Sequence, residues 1–336
     1  MNRRTPLMLA SALLLCAGSG LTQAQTTYPV RPIRLVVPFA AGTAPDVLGR
    51  LLAPVLADSL ATSVVVENAP GAGGTIGVDR AAKSAPDGHT LVLSGDAALV
   101  LTGGAYGVKP PYDTLRDLAP IAQLMITPNV LVVANDVPAR NVQELVALVR
   151  SQPGKFSYSS GGIGFSQHRA GELMNSMAGL DMVHVPNPGN PWPDVITGRT
   201  QLLFGNIALA LPMVKDGKVR ALAVTSSTRA SAAPELPTVS ESGLPGFESL
   251  SWFGVLAPAG TPPAVLQRLE AELQKAMAAP AMKERLATMG AMPGVQNAAG
   301  FTQVIQNEIK RWAPKPGSAV AAVPSPAAVT ATVQKP

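Results

Sequence analysis

Residues 35–46 combine the end of a strand, a loop of small residues and the start of a helix. Ile33 to Val37 form a short apolar run that favours a buried strand, and Pro38 has no N–H to continue a ladder. Pro45 and Asp46 then open an apolar-periodic segment, with Asp46 as the expected N-cap. A helix N-terminus offers unpaired N–H groups and partial positive charge, so this unit could bind an anion although it contains no Lys or Arg.

A second stretch, residues 158–168, has the same character. Phe156 to Ser159 are predicted to form a strand, a loop of Gly and Ser follows, and Ser166 to Ala178 are predicted to form a helix. Two anion-ready loops that lie far apart in the sequence predict two lobes that close on one small ligand.

The same residues allow other chemistry. Ser166 and His168 could form the nucleophile pair of an exported hydrolase, but the G-x-S-x-G pattern is absent and a general base also needs an orienting third group. Asp46 could contact a ligand amine as well as cap a helix. The three histidines, His89, His168 and His184, show no metal-ligand spacing, so no metal site is predicted.

The glycine-rich stretch 71–77 follows a predicted strand and opens a helix, as a dinucleotide-binding loop would. Its spacing is GxGxxxG rather than GxGxxG, and no acidic residue ends a second strand at the expected distance. We therefore interpret it as a turn that brings the backbone close to a neighbour, and we expect no cofactor.

The first 24 residues have the pattern of a secretory signal peptide. Arg3 and Arg4 form a basic start, an apolar run from Leu7 to Ala17 is too short to span a bilayer, and small residues end at Ala24. Cleavage there would lower the formal charge from +5 to +3 by removing two arginines, and it would also remove Cys16, the only cysteine. The sequence thus predicts export by the secretory route and a mature chain without a disulfide.

Composition predicts two globular domains and argues against nucleic-acid binding. About 310 residues follow the predicted signal peptide, which suits two domains of ordinary size. The chain is 47% hydrophobic and 14% charged, so it can bury a large core. Its basic residues are scattered singly rather than clustered, unlike those of a nucleic-acid-binding surface.

Strand and helix patterns alternate along the chain and predict βαβ units. Residues 28–129 and 250–312 are expected to form one discontinuous domain, residues 130–249 a second, and residues 313–336 a disordered tail rich in Ala and Pro. Residues 233–247 are predicted to cross between the lobes. Pro54 is predicted to kink or end the first helix, and Asn141 and Glu144 have capping-box spacing before another.

Many ordered motifs resemble one family over nearly all of residues 28–312. They are Tyr28-Pro-Val-Arg-Pro-Ile-Arg34, Val37-Pro-Phe-Ala-Ala-Gly42, Asp46, Glu67-Asn68, Pro70-Gly-Ala-Gly-Gly74, Pro86-Asp-Gly88, Ser159-Ser160-Gly161, His168, Val185-Pro186, Leu222-Ala-Val-Thr225, Pro237-Thr238, Trp252-Phe-Gly254 and Ala257-Pro-Ala-Gly-Thr-Pro262. The sequence resembles the Bug (TctC-like) substrate-binding proteins of tripartite tricarboxylate transporters.

The resemblance implies a periplasmic α/β protein with the two-lobed "Venus flytrap" fold, each lobe a mostly parallel sheet flanked by helices. It implies a monomer without catalytic activity, cofactor or metal, which binds a small carboxylate through backbone amides and hands it to a membrane permease. A related reading keeps the fold but has the protein present its ligand to a sensor histidine kinase.

Candidate ligand-binding positions follow from the matching motifs, together with Asp46 from the first loop. They are Phe39, Ala40, Ala41, Gly42, Thr43 and Asp46 in one lobe, and Ser159, Ser160, Gly161, Gly162, Ile163, Ser166, His168, Asn187, Gly189 and Asn206 in the other. The sequence departs from the family pattern at Thr43 and Gly205, which usually carry a glycine and an acid, and at Asn187-Pro188. The resemblance therefore does not imply the identity of the ligand.

Overall fold

The computed structural model describes residues 28–100, 109–187, 190–294 and 297–313 of the 336-residue chain. The predicted signal peptide and the predicted tail, apart from Ala313, lie outside these residues. Among the described residues, no helix combines the length and the apolar character needed to cross a membrane.

The first half of the described chain alternates strands and helices. Its elements are β1 (Ile33–Val37), α1 (Ala44–Leu60), β2 (Val64–Asn68), a 3-10 turn (Ala72–Gly74), α2 (Thr75–Ala82), β3 (Thr90–Gly95), α3 (Asp96–Val100), α4 (Thr114–Asp117), β4 (Leu118–Val133), α5 (Val142–Arg150), β5 (Ser157–Ser160) and α6 (Ser166–Ala178).

The remaining elements complete the second half and return to the first. They are β6 (Val183–Pro186), α7 (Trp192–Ile196), β7 (Leu202–Asn206), α8 (Ile207–Lys215), β8 (Arg220–Val224), β9 (Leu250–Pro258), α9 (Pro263–Ala278), α10 (Pro280–Thr288), β10 (Met292–Pro293) and α11 (Ala298–Arg311).

The long strand β4 belongs to two sheets and joins them. Its residues 118–128 pair with β9 in a sheet of order β2-β1-β3-β9-β4-β10, and its residues 129–133 pair with β7 and β8 in a sheet of order β6-β5-β7-β4-β8. We call the parts built on these sheets the first lobe and the second lobe. The sheets were predicted to be mostly parallel, but both are mixed. β1 pairs in parallel with β2 and β3, and β5 with β6 and β7, whereas all pairs of β4 and β9 are antiparallel because these two strands carry the chain between the lobes.

Each lobe has its own apolar core. The second lobe buries one cluster of residues between 130 and 247, and the first lobe buries two clusters drawn from residues 33–125 and 252–305. Residues 233–247 were predicted to cross between lobes, and this is wrong. Val239 and Phe247 are fully buried in the core of the second lobe, and the amide of Val239 bonds to the carbonyl of Val224 at 2.9 Å. The chain crosses next to Leu250, where β9 begins.

The prediction that Asp46 caps α1 is also wrong. The helix begins at Ala44 with Thr43 as N-cap, so Asp46 lies in its first turn. Of the two effects predicted for Pro54, a kink or an end of the helix, the second does not occur: the helix continues to Leu60, because packing of its buried face outweighs the loss of one backbone hydrogen bond. The cap predicted for α5 is confirmed, since Asn141 Oδ1 accepts from the amide of Glu144 at 2.8 Å. The Glu144 carboxylate accepts in return from the amide of Arg140 at 2.7 Å, one residue before the cap.

Candidate functional site

The first loop, residues 38–43, follows the carboxyl end of β1 and is closed by the buried carboxylate of Asp46. Its Oδ2 accepts from the amide of Gly42 at 2.8 Å and from Arg50 at 3.0 Å, and its Oδ1 accepts from Asn68 at 2.8 Å. Asn68 also donates to the carbonyl of Phe39 at 3.1 Å. All these bonds lie within the first lobe, so Asp46 shapes the loop.

The charge of Asp46 is favoured by the same bonds. Burial raises the pKa of the carboxyl, but hydrogen bonds from Arg50, Gly42 and Asn68 outweigh burial and hold the pKa below its usual value. The carboxylate is therefore ionised at neutral pH, and its charge is already compensated by these donors.

The loop presents backbone rather than side chains. Residues 40–43 are exposed. The hydroxyl of Thr43 donates a hydrogen bond to the carbonyl of Ala40 at 2.7 Å. Within the described ranges, no acceptor is bonded to the amide of Ala41 and no side chain caps α1. Phe39 is half-buried and packs edge-on against Phe253, with ring centroids 5.7 Å apart.

The second loop, residues 161–165, follows the carboxyl end of β5 and is braced by the first turn of α6. Gln167 Oε1 accepts from the amide of Gly161 at 2.5 Å, and His168 Nδ1 accepts from that of Gly164 at 3.1 Å. The amide of Gly162 bonds to Ser160 Oγ at 3.0 Å. Over the described chain, the amide of Ile163 has no such partner and α6 has no side-chain cap.

His168 is a neutral imidazole that supports the loop. Burial lowers its pKa to about 3, and the nearby charges of His184 and Arg169 lower it further. The ring stacks on His184 with centroids 4.0 Å apart, and burial also lowers the pKa of His184 to about 4. Because Nδ1 accepts from Gly164, Nε2 carries the proton. Such a ring is unsuited to act as a general base.

The serines of the site are tied into the second lobe. Ser159 and Ser160 are fully buried, with Ser159 donating to the carbonyl of Pro191 at 3.2 Å and Ser160 lying 2.6 Å from His184 Nε2. Ser166 Oγ accepts from Asn129 at 3.1 Å. These bonds do not favour the hydrolase alternative, because Ser166 is held by an amide rather than by an imidazole.

The glycine-rich stretch of the first lobe lies between the two loops. A Cβ at Gly74 would lie 3.4 Å from the carbonyl oxygen of Pro38, the first residue of the first loop. A Cβ at Gly73 would lie 3.8 Å from the ring of Phe165, the last residue of the second loop. A Cβ at Gly77 would lie 2.7 Å from that of Pro38. The predicted close approach of backbone is confirmed, and the two candidate loops face the same region.

The other predicted positions surround the carboxyl ends of β6 and β7. Asn187 donates to Asp194 at 2.9 Å, and Gly189 lies outside the described residues. Asn206 caps α8 and donates to Thr127 at 3.2 Å, at the crossover of β4.

Packing explains why position 205 carries a glycine, and the sequence alone did not reveal this. A Cβ at Gly205 would lie 2.5 Å from ring carbons of Trp192, which is buried against this strand. An acid at this position would displace Trp192. Sequence reasoning also missed Gln167 and Arg169, because neither residue lies in a recognisable spacing pattern and only the fold shows their partners.

No group of His, Cys, Asp and Glu suited to a metal ion occurs in the described part of the chain. Apart from Asp46, whose charge is compensated within the first lobe, the site offers backbone amides, two helix N-termini and neutral side chains. Such a donor set suits a small anion better than a cation.

Comparison with known proteins places these features in a family. The TctC family model, described as the tripartite tricarboxylate transporter family receptor, matches residues 48–315. Protein BugT of Bordetella pertussis is 35% identical over 315 residues, which cover 93% of this chain and 97% of BugT.

Two solved structures are similar over most of their length. The periplasmic binding protein BugD is 33% identical with a TM-score of 0.74, and the match covers 85% of this chain and 96% of BugD. MatC from Rhodopseudomonas palustris, solved with bound malate, is 31% identical with a TM-score of 0.75, and the match covers 85% of this chain and 99% of MatC. The predicted α/β fold of periplasmic binding proteins is confirmed, and the chain belongs to the TctC family of tripartite tricarboxylate transporter receptors.

Proposed function

We propose that this chain is an exported solute-binding protein that captures a small organic carboxylate between its lobes and delivers it to the permease of a tripartite transporter. The observation that carries the proposal is the matching geometry of the two loops. Each runs from the carboxyl end of a strand into a helix without a side-chain cap in the described chain, and neither contains Lys or Arg. The malate bound to MatC supports a carboxylate as the ligand class.

Amides are sufficient to hold such a ligand. A hydrogen bond from a neutral donor to a charged oxygen contributes about 1.5–3 kcal/mol, and a helix N-terminus adds ~0.3–1 kcal/mol. The amides of Ala41 and Ile163 are the donors best placed for this, one from each lobe. Neutral donors leave no unpaired fixed charge buried when the ligand leaves, so release stays easy.

The candidate residues then divide by role. We assign ligand contact to residues 39–43 and 161–163 of the two loops, and to Asn187, Gly189 and Asn206 at the ends of β6 and β7. We assign a positioning role to Asp46, Ser159, Ser160, Ser166 and His168, because these side chains are buried and their polar atoms already bond within the protein. The proposed lobes are residues 28–129 with 250–312, and residues 130–249, with the hinge at the two crossovers.

The remaining features follow from this assignment. The neutral, Nδ1-bonded His168 supplies no general base, so we expect binding without turnover. Export by the predicted signal peptide would place the monomeric protein in the periplasm, where its partner is a permease or, in the alternative, a sensor kinase.

The test is mass spectrometry of the small molecules released from protein purified under mild conditions from the periplasm. The proposal expects a molecule with at least one carboxylate, present at a constant ratio to protein. A tightly held molecule that is uncharged or cationic would refute it.

A further inference from the structure

Arg169 crosses from one lobe to the other. It lies on α6 of the second lobe and has the bulkiest fully buried side chain of the described residues. Its guanidinium forms an ion pair with Asp96, the first residue of α3 in the first lobe. It also lies 3.7 Å from the carboxylate of Glu308 and stacks over the ring of Trp312 at 5.1 Å, both near the end of the first lobe.

The ion pair is attached to the segment where the chain crosses between lobes. Asp96 accepts from the hydroxyl of Ser251 at 3.0 Å and from the amide of Trp252 at 3.3 Å. Arg169 donates to the carbonyl of Leu250 at 3.3 Å. Between them, the two charged side chains therefore bond to three consecutive residues at the start of β9.

The first turn of α6 is attached to both crossovers. The carbonyl of Ser166 accepts from Ser249 at 3.3 Å, beside β9, and its hydroxyl accepts from Asn129 at 3.1 Å, in β4. Atoms next to a hinge move least when two bodies rotate about it. The start of α6 therefore lies among the parts of the second lobe that a rotation about the hinge displaces least.

We propose that Arg169 and Asp96 are positioning residues that form a fixed pivot, holding the first turn of α6 on the first lobe while the rest of the second lobe rotates. Separating two buried charges leaves each without a partner where little water can reach it, so the pair stays formed as the cleft opens. This inference rests on the opening and closing of the lobes in the proposed function.

The pivot has a consequence for ligand capture. The amides of the second loop lie directly before this turn, so they keep one position relative to the hinge in the open and closed states. Closure then brings the first loop to an anion that the second loop already holds.

The test measures the distance between the lobes in the ligand-free mature chain by double electron–electron resonance. Spin labels are attached at Lys215→Cys and Lys275→Cys, exposed positions of the second and first lobes. The only native cysteine, Cys16, lies within the predicted signal peptide, so labelling is specific. Asp96→Asn is compared with Asp87→Asn, which breaks an ion pair with Arg31 inside the first lobe.

If Arg169 and Asp96 form the pivot, Asp96→Asn increases the width of the distance distribution about twofold, because the rotation axis is no longer fixed. Asp87→Asn leaves the width unchanged. An unchanged width in Asp96→Asn would overturn the pivot, and so would a longer mean distance at constant width, which indicates a latch that breaks on opening. If Asp96→Asn does not fold, Arg169→Lys is measured instead, with the same outcomes. No ligand is used, so the result is independent of whether the protein binds a carboxylate.

Discussion

The amide of Gly42 donates a 2.8 Å hydrogen bond to the carboxylate of Asp46, four residues further along the chain. This bond folds the first loop back onto the start of α1 and turns the exposed backbone of residues 40–43 outward. A buried acid thus shapes a site that we expect to bind an anion. Its charge is offset by Arg50 and two amide donors, so it need not repel the ligand.

Asp46→Asn should lower the free energy of unfolding at pH 7 by about 1–3 kcal/mol, because it weakens a charge-assisted network. The pKa of Asp46 in the folded protein lies below its value of about 3.9 in an unfolded chain. Its stabilising effect is therefore complete above that value and is lost as the pH falls through the folded pKa. Urea unfolding should show the free energies of unfolding of the two proteins converging as the pH falls through the folded pKa of Asp46. A constant difference across this range would show that the charge is not responsible.

His168 should make the protein less stable as the pH falls. Its folded pKa of about 3 lies below its usual value near 6.5, so the unfolded chain takes up a proton that the folded chain refuses. The free energy of unfolding should be highest above about pH 6.5 and should fall toward pH 4. His168 contributes a slope of at most ~1.4 kcal/mol per pH unit to this fall.

The measurement is urea unfolding at several pH values for the native chain and for His168→Gln. The variant should lose part of the slope between pH 6 and 4, although it can be less stable overall. Equal slopes in both proteins would contradict a buried neutral imidazole.

Individual strands and helices could be predicted from the sequence, because apolar periodicity and breaker residues lie within or next to each element. The strand Ile33–Val37 and the helix Ser166–Ala178 occur with the predicted bounds, set by apolar periodicity and nearby breakers. The full length of β4 could not be predicted. Its Pro120 and Pro128 resemble strand breakers, and only pairing with β9 shows that the strand continues through them.

The site could be predicted only in outline. The loops were found from their small residues, but the role of Asp46 as a loop brace depends on Asn68, which comes from another strand. In the same way, Arg169 has no local signal, because its partner Asp96 is 73 residues away. Long-range polar contacts decide which candidates contact the ligand and which position others.

Gly205→Ala should destabilise the second lobe, because its methyl group would meet the ring of Trp192 at 2.5 Å. We expect a loss of about 1–3 kcal/mol in the free energy of unfolding, typical of overpacking. Trp192→Leu alone should also cost stability by leaving a cavity. The double variant should lose less than the sum of the two, because the smaller side chain relieves the clash. Additive losses in urea unfolding would show that Gly205 is not required by Trp192.

Gln167→Glu should weaken the binding of an anion. The side-chain oxygen of Gln167 lies at the second loop, 2.5 Å from the amide of Gly161, so a carboxylate there opposes the ligand charge and competes for the same donors. We expect the dissociation constant for whichever of malate, succinate and adipate the native chain binds to rise at least about tenfold, or ~1.4 kcal/mol. Gln303→Glu on the exposed face of α11 makes the same charge change away from the loops and should have no effect. Equal affinities of all three proteins would argue against an anion at this loop.

Isothermal titration calorimetry with matched acids and amides tests the central claim most directly. The mature chain is titrated with malate, succinate and adipate and with the corresponding diamides, which keep the shape of each ligand but remove its charge. The account predicts that at least one acid binds and that its diamide binds at least about 100-fold more weakly, because charge-assisted bonds to both loops are lost. Binding of a diamide as tightly as its acid, or of diamides but no acid, would contradict it.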